Sequence, residues 1–468
     1  MVVKETPMPL RPSKQVQDPL EDIRQLDNIE CGVAARKAFA FPDGYRNLNH
    51  GSFGTYPAAI RSKFHRFADL SEERPDAFIR YDYPRLLDES REAIADFVHA
   101  PVDACVLISN ATTGINIVLR NLVFKPGDVI IYFATIYGML PRRRTHETLA
   151  DSNKTTPAES RQVEYIYPIS DNALCSAFED VIEDIKAQGK NPRLAIYDTI
   201  ASLPGVRMPF ERITALCKQH GIFSLVDAAH SVGGIPIDLG KLDPDAYVTN
   251  LHKWLFVPRG CALFYVPVRN QHLMRSTLPT SHGFVPRPTG DGSAAQINPL
   301  PPGKNTAYIE NYKFAGTLDN SPYLCVPAAI EWRKKLTWEG KQGEDAIYGY
   351  LENLAQKAGK IVSTKLGTEI LNNDDGTLTK CFFNNVRLPL DYQQDAGGDF
   401  ATAVTIAQWM SRVLVEEYDT FMAFLVHDDT WWVRLSAQIY LVEADFEWSA
   451  DILEQLCARV KKGEWKKT

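Results

Sequence analysis

Asp227 ends an apolar run at 222–226, and Lys253 follows 26 residues later, beside His252 and between Leu251 and Trp254. An acid delivered at the end of a buried strand can hold a proton on a heteroaromatic nitrogen. A lysine in an apolar frame can offer a free amine to a carbonyl. These are the two demands of a pyridoxal phosphate site: the lysine makes the imine, and the protonated ring accepts electrons from the substrate. The bland alternatives are a solvated lysine and an aspartate that caps the next helix. Leu251 and Trp254 speak against the first, and a lysine in step with the acid speaks against the second.

A second chemical feature is Ser109-Asn110-Ala111-Thr112-Thr113-Gly114, which joins an apolar run to a helical pattern. Small hydroxyl residues at a strand-to-helix turn bring N–H and O–H groups to a positive helix end, a cradle for a phosphate. A plain N-cap explains the same residues. In Asn49-His50-Gly51-Ser52-Phe53-Gly54, short polar residues and glycine lie among aromatics, so other groups can approach the backbone closely.

The elements that must position these groups follow from hydrophobic pattern. Apolar strands at 102–109, 129–133, 192–197 and 222–226 alternate with helices at 58–80, 83–99, 110–122 and 209–220. Strands apolar throughout predict a mainly parallel sheet between helices, an α/β domain with ligands at the strand C-terminal ends. The Pro/Gly-rich stretch 276–305 is too long for a mere connector. Beyond Gly316-Thr317, helices at 327–336, 344–360, 400–417 and 446–462 alternate with strands at 381–388 and 432–435, a smaller α+β unit. The expected division is an N-terminal arm (1–40), a large domain (41–320) and a small C-terminal domain (321–468).

Bulk properties narrow the classes. The chain has 468 residues, 45% hydrophobic and 23% charged, and a net charge of −7. That composition reads as globular, and the charge disfavours nucleic-acid or anionic-membrane partners. No apolar stretch approaches the roughly 20 residues a membrane span needs. Residues 1–22 are polar and proline-punctuated, without the apolar core of a secretory signal, so the expected address is cytoplasmic. Eight scattered cysteines without a CxxC pair predict reduced thiols and no metal site.

With Asp227-Ala228-Ala229-His230 and Leu251-His252-Lys253-Trp254 in view, the chain resembles the class V, fold-type I pyridoxal phosphate enzymes, from about residue 45 to 441. Asn49–Gly54, 109–114 and 432–438 make it look closest to the isopenicillin-N-epimerase-like group, within which the nearest match is a carbon–sulfur lyase of ergothioneine biosynthesis. The resemblance implies that Lys253 forms the imine and Asp227 pairs with the pyridine nitrogen. His230 would sit near the phenolate oxygen or the ring nitrogen, and Asp198 and Ser202 would buttress the ring, Ser202 replacing the asparagine common in the family. Ala111, Thr112, Asn250 and His252 would hold the phosphate, with Thr317 reaching across a homodimer to the partner's cofactor. Tyr137 would stack on the ring and protonate a leaving group, Arg434 would grip the substrate α-carboxylate, and Asn49 and His50 would line the substrate side. Residues 139–160, with Pro141 and the triple arginine 142–144, depart from the helix expected beside the cofactor. They fit a solvated loop, or an error of splicing or reading frame.

The implied reaction is β-elimination from a cysteine-conjugate sulfoxide, hercynylcysteine sulfoxide in the first instance, giving a sulfenate or thiol, pyruvate and ammonia. An epimerase or racemase would use the same lysine and aspartate. A thiol-relay desulfurase would need a cysteine shortly before Arg434, and residues 414–433 contain none. A binding protein that has lost turnover is disfavoured by the joint presence of Lys253, Asp227 and Arg434.

Overall fold

In the computed structural model, residues 20–135, 157–280, 282–284, 299–301 and 303–467 are described. Seven strands form the principal sheet: β1 (Cys105–Ile108), β2 (Asp128–Phe133), β3 (Glu159–Val163), β4 (Asn191–Asp198), β5 (Phe223–Asp227), β6 (Ala246–Asn250) and β7 (Ala262–Tyr265). Their spatial order is β1-β7-β6-β5-β4-β2-β3. β7 runs antiparallel to both neighbours, and the other pairings are parallel.

Alternation along the strands feeds two cores. Leu107, Val129, Ile131, Ala195, Tyr197, Val226 and Tyr247 face the larger one. Val106, Ile108, Ile130, Leu194, Ile196, Leu225 and Val248 face the smaller. Both faces being apolar is what makes the strands read as unbroken hydrophobic runs.

Helices cover these faces: α1 (Ala58–Glu73), α2 (Tyr83–Phe97), α3 (Ala111–Asn121), α4 (Asp171–Ala187) and α5 (Phe210–His220). The single helix expected over 58–80 is interrupted. α1 stops before Pro75, whose ring disfavours helical geometry at Arg74, and a π-turn (Phe78–Asp82) leads into α2. The strand expected at 102–109 is shortened by a 3₁₀ turn at Val102–Ala104.

A second, antiparallel sheet is built from β8 (Phe383–Arg387), β9 (Ala423–His427) and β10 (Thr430–Ser436), with β10 central. Four further helices accompany it: α6 (Val326–Arg333), α7 (Glu344–Leu366), α8 (Phe400–Tyr418) and α9 (Glu443–Lys461). Residues 20–40 pack onto this part, because Ile29–Glu30 pairs in parallel with Leu336–Trp338 and Arg36 bonds Asp445. Arg46 joins the same carboxylate at 3.0 Å. Among the described residues no helix is long and apolar enough to cross a membrane.

Candidate active site

The chemistry-bearing residues converge at the carboxyl ends of adjacent strands. β4 and β5 lie in register with Asp198 opposite Asp227. β6 ends at Asn250, and the chain passes directly into a single helical turn, Leu251–Trp254, that carries Lys253. β1 leads into α3 at Ala111. This is the edge at which open α/β sheets bind ligands.

Lys253 is 8% exposed, with its Nζ 3.2 Å from His230 Nε2. The indole Nε1–H of Trp254 donates to His230 Nδ1 at 3.4 Å. An indole can only donate, so the proton of neutral His230 resides on Nε2 and points at Lys253, where a deprotonated amine accepts it. Burial pulls the Lys253 ammonium from 10.5 down to about 8. Asp227 and Asp198 pull it back up, and the charge of Arg434 adds to the lowering. Burial and the neighbouring Lys253 hold His230 well below its ordinary value. Burial raises both carboxyls, Asp198 further because Asp227 is beside it. Asp227 Oδ1 accepts the Ala229 N–H at 3.1 Å, whereas Asp198 Oδ2 is buried without a partner among the described residues.

Arg434, on the central strand β10, is 1% exposed. Its Nη1 donates to Ser202 O (2.8 Å) and Ser202 Oγ (3.4 Å), and its Nη2 to Asn49 Oδ1 (2.8 Å) and Ser52 Oγ (3.1 Å). All four acceptors are neutral, and Nε is buried with no partner among the described residues. The guanidinium lies 4.3 Å from the centre of the Phe383 ring. A buried cation with no carboxylate beside it is the electrostatic complement of an arriving anion.

Other expected residues fall in different places. Thr112, in the first turn of α3, is exposed, as a phosphate ligand must be. The Ala111 N–H donates to Asn250 Oδ1 at 2.9 Å, so in this arrangement these two groups satisfy each other, and Asn110 caps Thr113. His252 Nδ1 donates to Cys261 O at 3.0 Å, and burial lowers the ring to about 4. Its Nε2 therefore becomes a donor only when a nearby dianion raises its proton affinity. Ser202 sits on Arg434. Asn49 does too, through the oxygen that anchors Nη2. His50, expected on the substrate side, gives both ring nitrogens to the frame: Nδ1 meets Tyr440 Oη at 2.9 Å and Nε2 meets Lys253 O at 2.5 Å. Thr317 is exposed and makes no hydrogen bond to Lys253, Asp227 or Arg434 within the described chain. Tyr137 and residues 139–156 lie outside the described residues.

Four contributors carried no chemical signal that set them apart in the sequence. Ser52 sat unremarked within the Asn49–Gly54 motif. Phe383, Tyr440 and Arg333 are embedded in apolar or mixed segments whose pattern speaks only of packing.

The sheet order, the paired acids and the buried lysine at the strand ends define a fold-type I pyridoxal phosphate enzyme. The model of the class-V aminotransferase family matches residues 81–387, and the chain belongs to that family. It is 36% identical over 454 residues to the L-cysteine desulfhydrase-like protein lolT1 of Epichloe uncinata, covering 93% of this chain and 98% of that one. It is 28% identical over 432 residues to the hercynylcysteine sulfoxide lyase of Schizosaccharomyces pombe, covering 92% and 99%. The fold superimposes on that of the cystine C–S lyase C-DES, solved with cysteine persulfide, with a TM-score of 0.65 at 16% identity, covering 88% and 98%. Pyridoxal phosphate is the cofactor, and the residues present fit it. The orphaned oxygen of Asp198 and the carboxylate of Asp227 suit a protonated ring nitrogen, the Lys253 amine suits an aldehyde, and the exposed Thr112 at the start of α3 suits a phosphate.

Proposed function

We propose that this protein is a pyridoxal phosphate-dependent carbon–sulfur lyase that cleaves a cysteine-conjugate sulfoxide, with hercynylcysteine sulfoxide the substrate to test first. The observation that carries the reading is the buried Arg434, bound only by neutral oxygens, within electrostatic reach of the Lys253 amine. One group is suited to an α-carboxylate and the other to an α-proton. The relatives named a cysteine desulfhydrase-like protein and a sulfoxide lyase support the choice of sulfur chemistry.

In this reading Lys253 holds the cofactor, Asp227 and Asp198 face its ring nitrogen, and Thr112, with the Ala111–Asn250 pair and His252, surrounds its phosphate. When bound, the cofactor ring takes up the electron pair left at Cα. Arg434 receives the substrate carboxylate and fixes which bond at Cα faces Lys253. The Lys253 amine, poised near pH 8 by burial, removes the Cα proton. The Cβ–S bond then breaks with its electron pair leaving on sulfur, and Tyr137 supplies a proton to the departing group. A sulfenic acid and 2-aminoacrylate are released, and water converts the latter to pyruvate and ammonia. A cavity of about 350 Å³ beside Asn49 and His50 is lined further by Phe41, Tyr45, Asn47 and Phe53. All eight cysteines are buried, and Cys381, near Arg434, is pushed up to about 12, which disfavours a thiol relay. Pairing of two copies, with Thr317 reaching the partner's phosphate, belongs to the same proposal and is checked by light scattering.

The test compares hercynylcysteine sulfoxide, cysteine, cystathionine and an L/D amino-acid pair, scoring pyruvate and stereochemistry. Pyruvate from the sulfoxide at the highest kcat/KM is expected. Interconversion of the L/D pair without pyruvate would replace the lyase by an epimerase.

A further inference from the structure

Arg333 is fully buried at the end of α6, far in sequence from Lys253, Asp227 and His230. Its Nε and Nη2 grip both oxygens of Glu344, each at 2.7 Å. Its remaining bonds leave the second part of the molecule: Nη1 donates to Trp254 O at 2.7 Å and Nη2 to Gly233 O at 2.8 Å. Trp254 follows Lys253 directly, and Gly233 lies in the turn that follows Asp227 and His230. One guanidinium therefore ties together the two segments that carry the reacting amine and its acid.

The need for such a tie is visible in the backbone. The helical turn bearing Lys253 is only Leu251–Trp254, so its carbonyls have few partners of their own. Two residues beyond it stands Phe256, a bulky residue held at φ +65°, a conformation that costs about 1–3 kcal/mol unless its surroundings impose it. The two segments also touch main chain to main chain: a Cβ at Gly233 would fall 2.6 Å from the Trp254 carbonyl. A turn this short and strained relaxes unless something outside it holds it. Arg333 gains little stability from pairing with a carboxylate that is itself partly exposed. Its four bonds to named catalytic segments and to Glu344 make better sense as placement. Because a misplacement of about 1 Å can cost 10²-fold in rate, placement of the amine is where such a residue acts.

We infer that Arg333, oriented by Glu344, is a positioning residue that fixes Lys253 relative to Asp227 and His230 through the carbonyls of Trp254 and Gly233. This rests on Lys253 being the lysine that bonds the cofactor. The test uses the holoenzyme and the variants Arg333→Lys, Arg333→Met and Glu344→Gln, with Lys253→Ala as control. Visible-region circular dichroism per bound cofactor is read together with kcat and KM. In Arg333→Lys, which keeps the charge and loses the fork, kcat should fall about tenfold or more with KM within about threefold, and the dichroic amplitude should change. Glu344→Gln should move both readouts the same way by less, and it keeps the question answerable if Arg333→Met fails to fold. Unchanged kcat and dichroism in folded Arg333→Lys and Glu344→Gln, whatever their melting temperatures, would overturn the inference and leave Arg333 a structural residue. If instead wild-type protein shows no cofactor band that Lys253→Ala removes, the reading of Lys253 has failed first.

Discussion

The turn that carries Lys253 and the corner that holds Arg434 lie within electrostatic reach of each other, yet they are built by opposite means. Around Lys253 the frame is held through its main chain. A Cβ at Gly54 would lie 1.8 Å from His252 O, and one at Gly233 would meet the Trp254 carbonyl. His50 and Arg333 take the carbonyls of Lys253 and Trp254. Around Arg434 the acceptors are mostly side-chain oxygens, all neutral, and one N–H stays unpaired among the described residues. A group that must move a proton needs a fixed place, and backbone contacts allow little slack. A group that must recognise an anion has to be left short of one, because a resident carboxylate would compete with the substrate. The first region trades tolerance for precision, and the second leaves part of its satisfaction to the ligand.

The sharpest way to break this contrast is at Lys253 itself. Lys253→Ala should lose turnover by about 10³-fold or more and lose the cofactor's visible band, while unfolding remains cooperative. Next in size is Gly54→Ala. Gly54 has φ +64° and ψ 170°, a region almost reserved for glycine, and the new methyl would strike the His252 carbonyl. A loss of about 3 kcal/mol or more in urea unfolding is expected, with the band weakened even where the fold survives. Gly44→Ala is the control: φ is +80° there too, but the space is open, so only the strain of about 1 kcal/mol should appear. Equal losses at the two glycines would show that the backbone contact with the Lys253 turn matters little.

The electrostatic side of the comparison is read by pH. Stripped of cofactor, the Lys253 amine should show half-maximal acylation near pH 8, followed by mass spectrometry, against 10.5 for an ordinary lysine. Its folded-state value lies below the unfolded one, so the penalty of burying the ammonium is present in full below about pH 8. The penalty fades as pH rises toward 10.5, and stability of the cofactor-free protein should climb over that window. At the other region, Arg434→Lys should leave folding intact and lower kcat/KM by about 30-fold, roughly 2 kcal/mol, mainly through KM. An amine substrate lacking the carboxylate should erase the difference between variant and wild type. A variant penalised equally with that amine would make Arg434 part of the frame.

How far each region could be read from sequence follows from the same contrast. The strands and the acid–lysine pair were legible because apolar runs and a charged residue in an apolar frame are local patterns. Asp227, Lys253 and the helix opening at Ala111 stand where those patterns put them. The antiparallel strand β7 was not foreseen, since four apolar residues carry no direction. The frame contacts of His50 were not foreseen for a related reason. A histidine in a glycine-rich loop reads as a ligand contact, and only the fold reveals that Lys253 O and Tyr440 occupy both its nitrogens. Arg333 was invisible: in Glu331-Trp332-Arg333-Lys334-Lys335 it is one cation among three, and long-range backbone carbonyls leave no trace in composition.

The smallest test sits where the two regions meet. Phe383 places its ring 4.3 Å from the Arg434 guanidinium, and the same ring packs edge-on to His230 (5.3 Å) and Trp254 (5.6 Å), the neighbours of Lys253. Phe383→Leu keeps most of the buried apolar surface and removes the π face. The loss of a cation–π contact is worth about 0.5–2 kcal/mol, so KM should rise about two- to thirtyfold with kcat little changed if the ring serves Arg434. If it serves the Lys253 side, kcat should fall instead and KM stay. A double-mutant cycle with Arg434→Lys decides between them: the penalties of two changes that act on one contact should fall short of their sum, whereas independent effects should add to within about 0.5 kcal/mol.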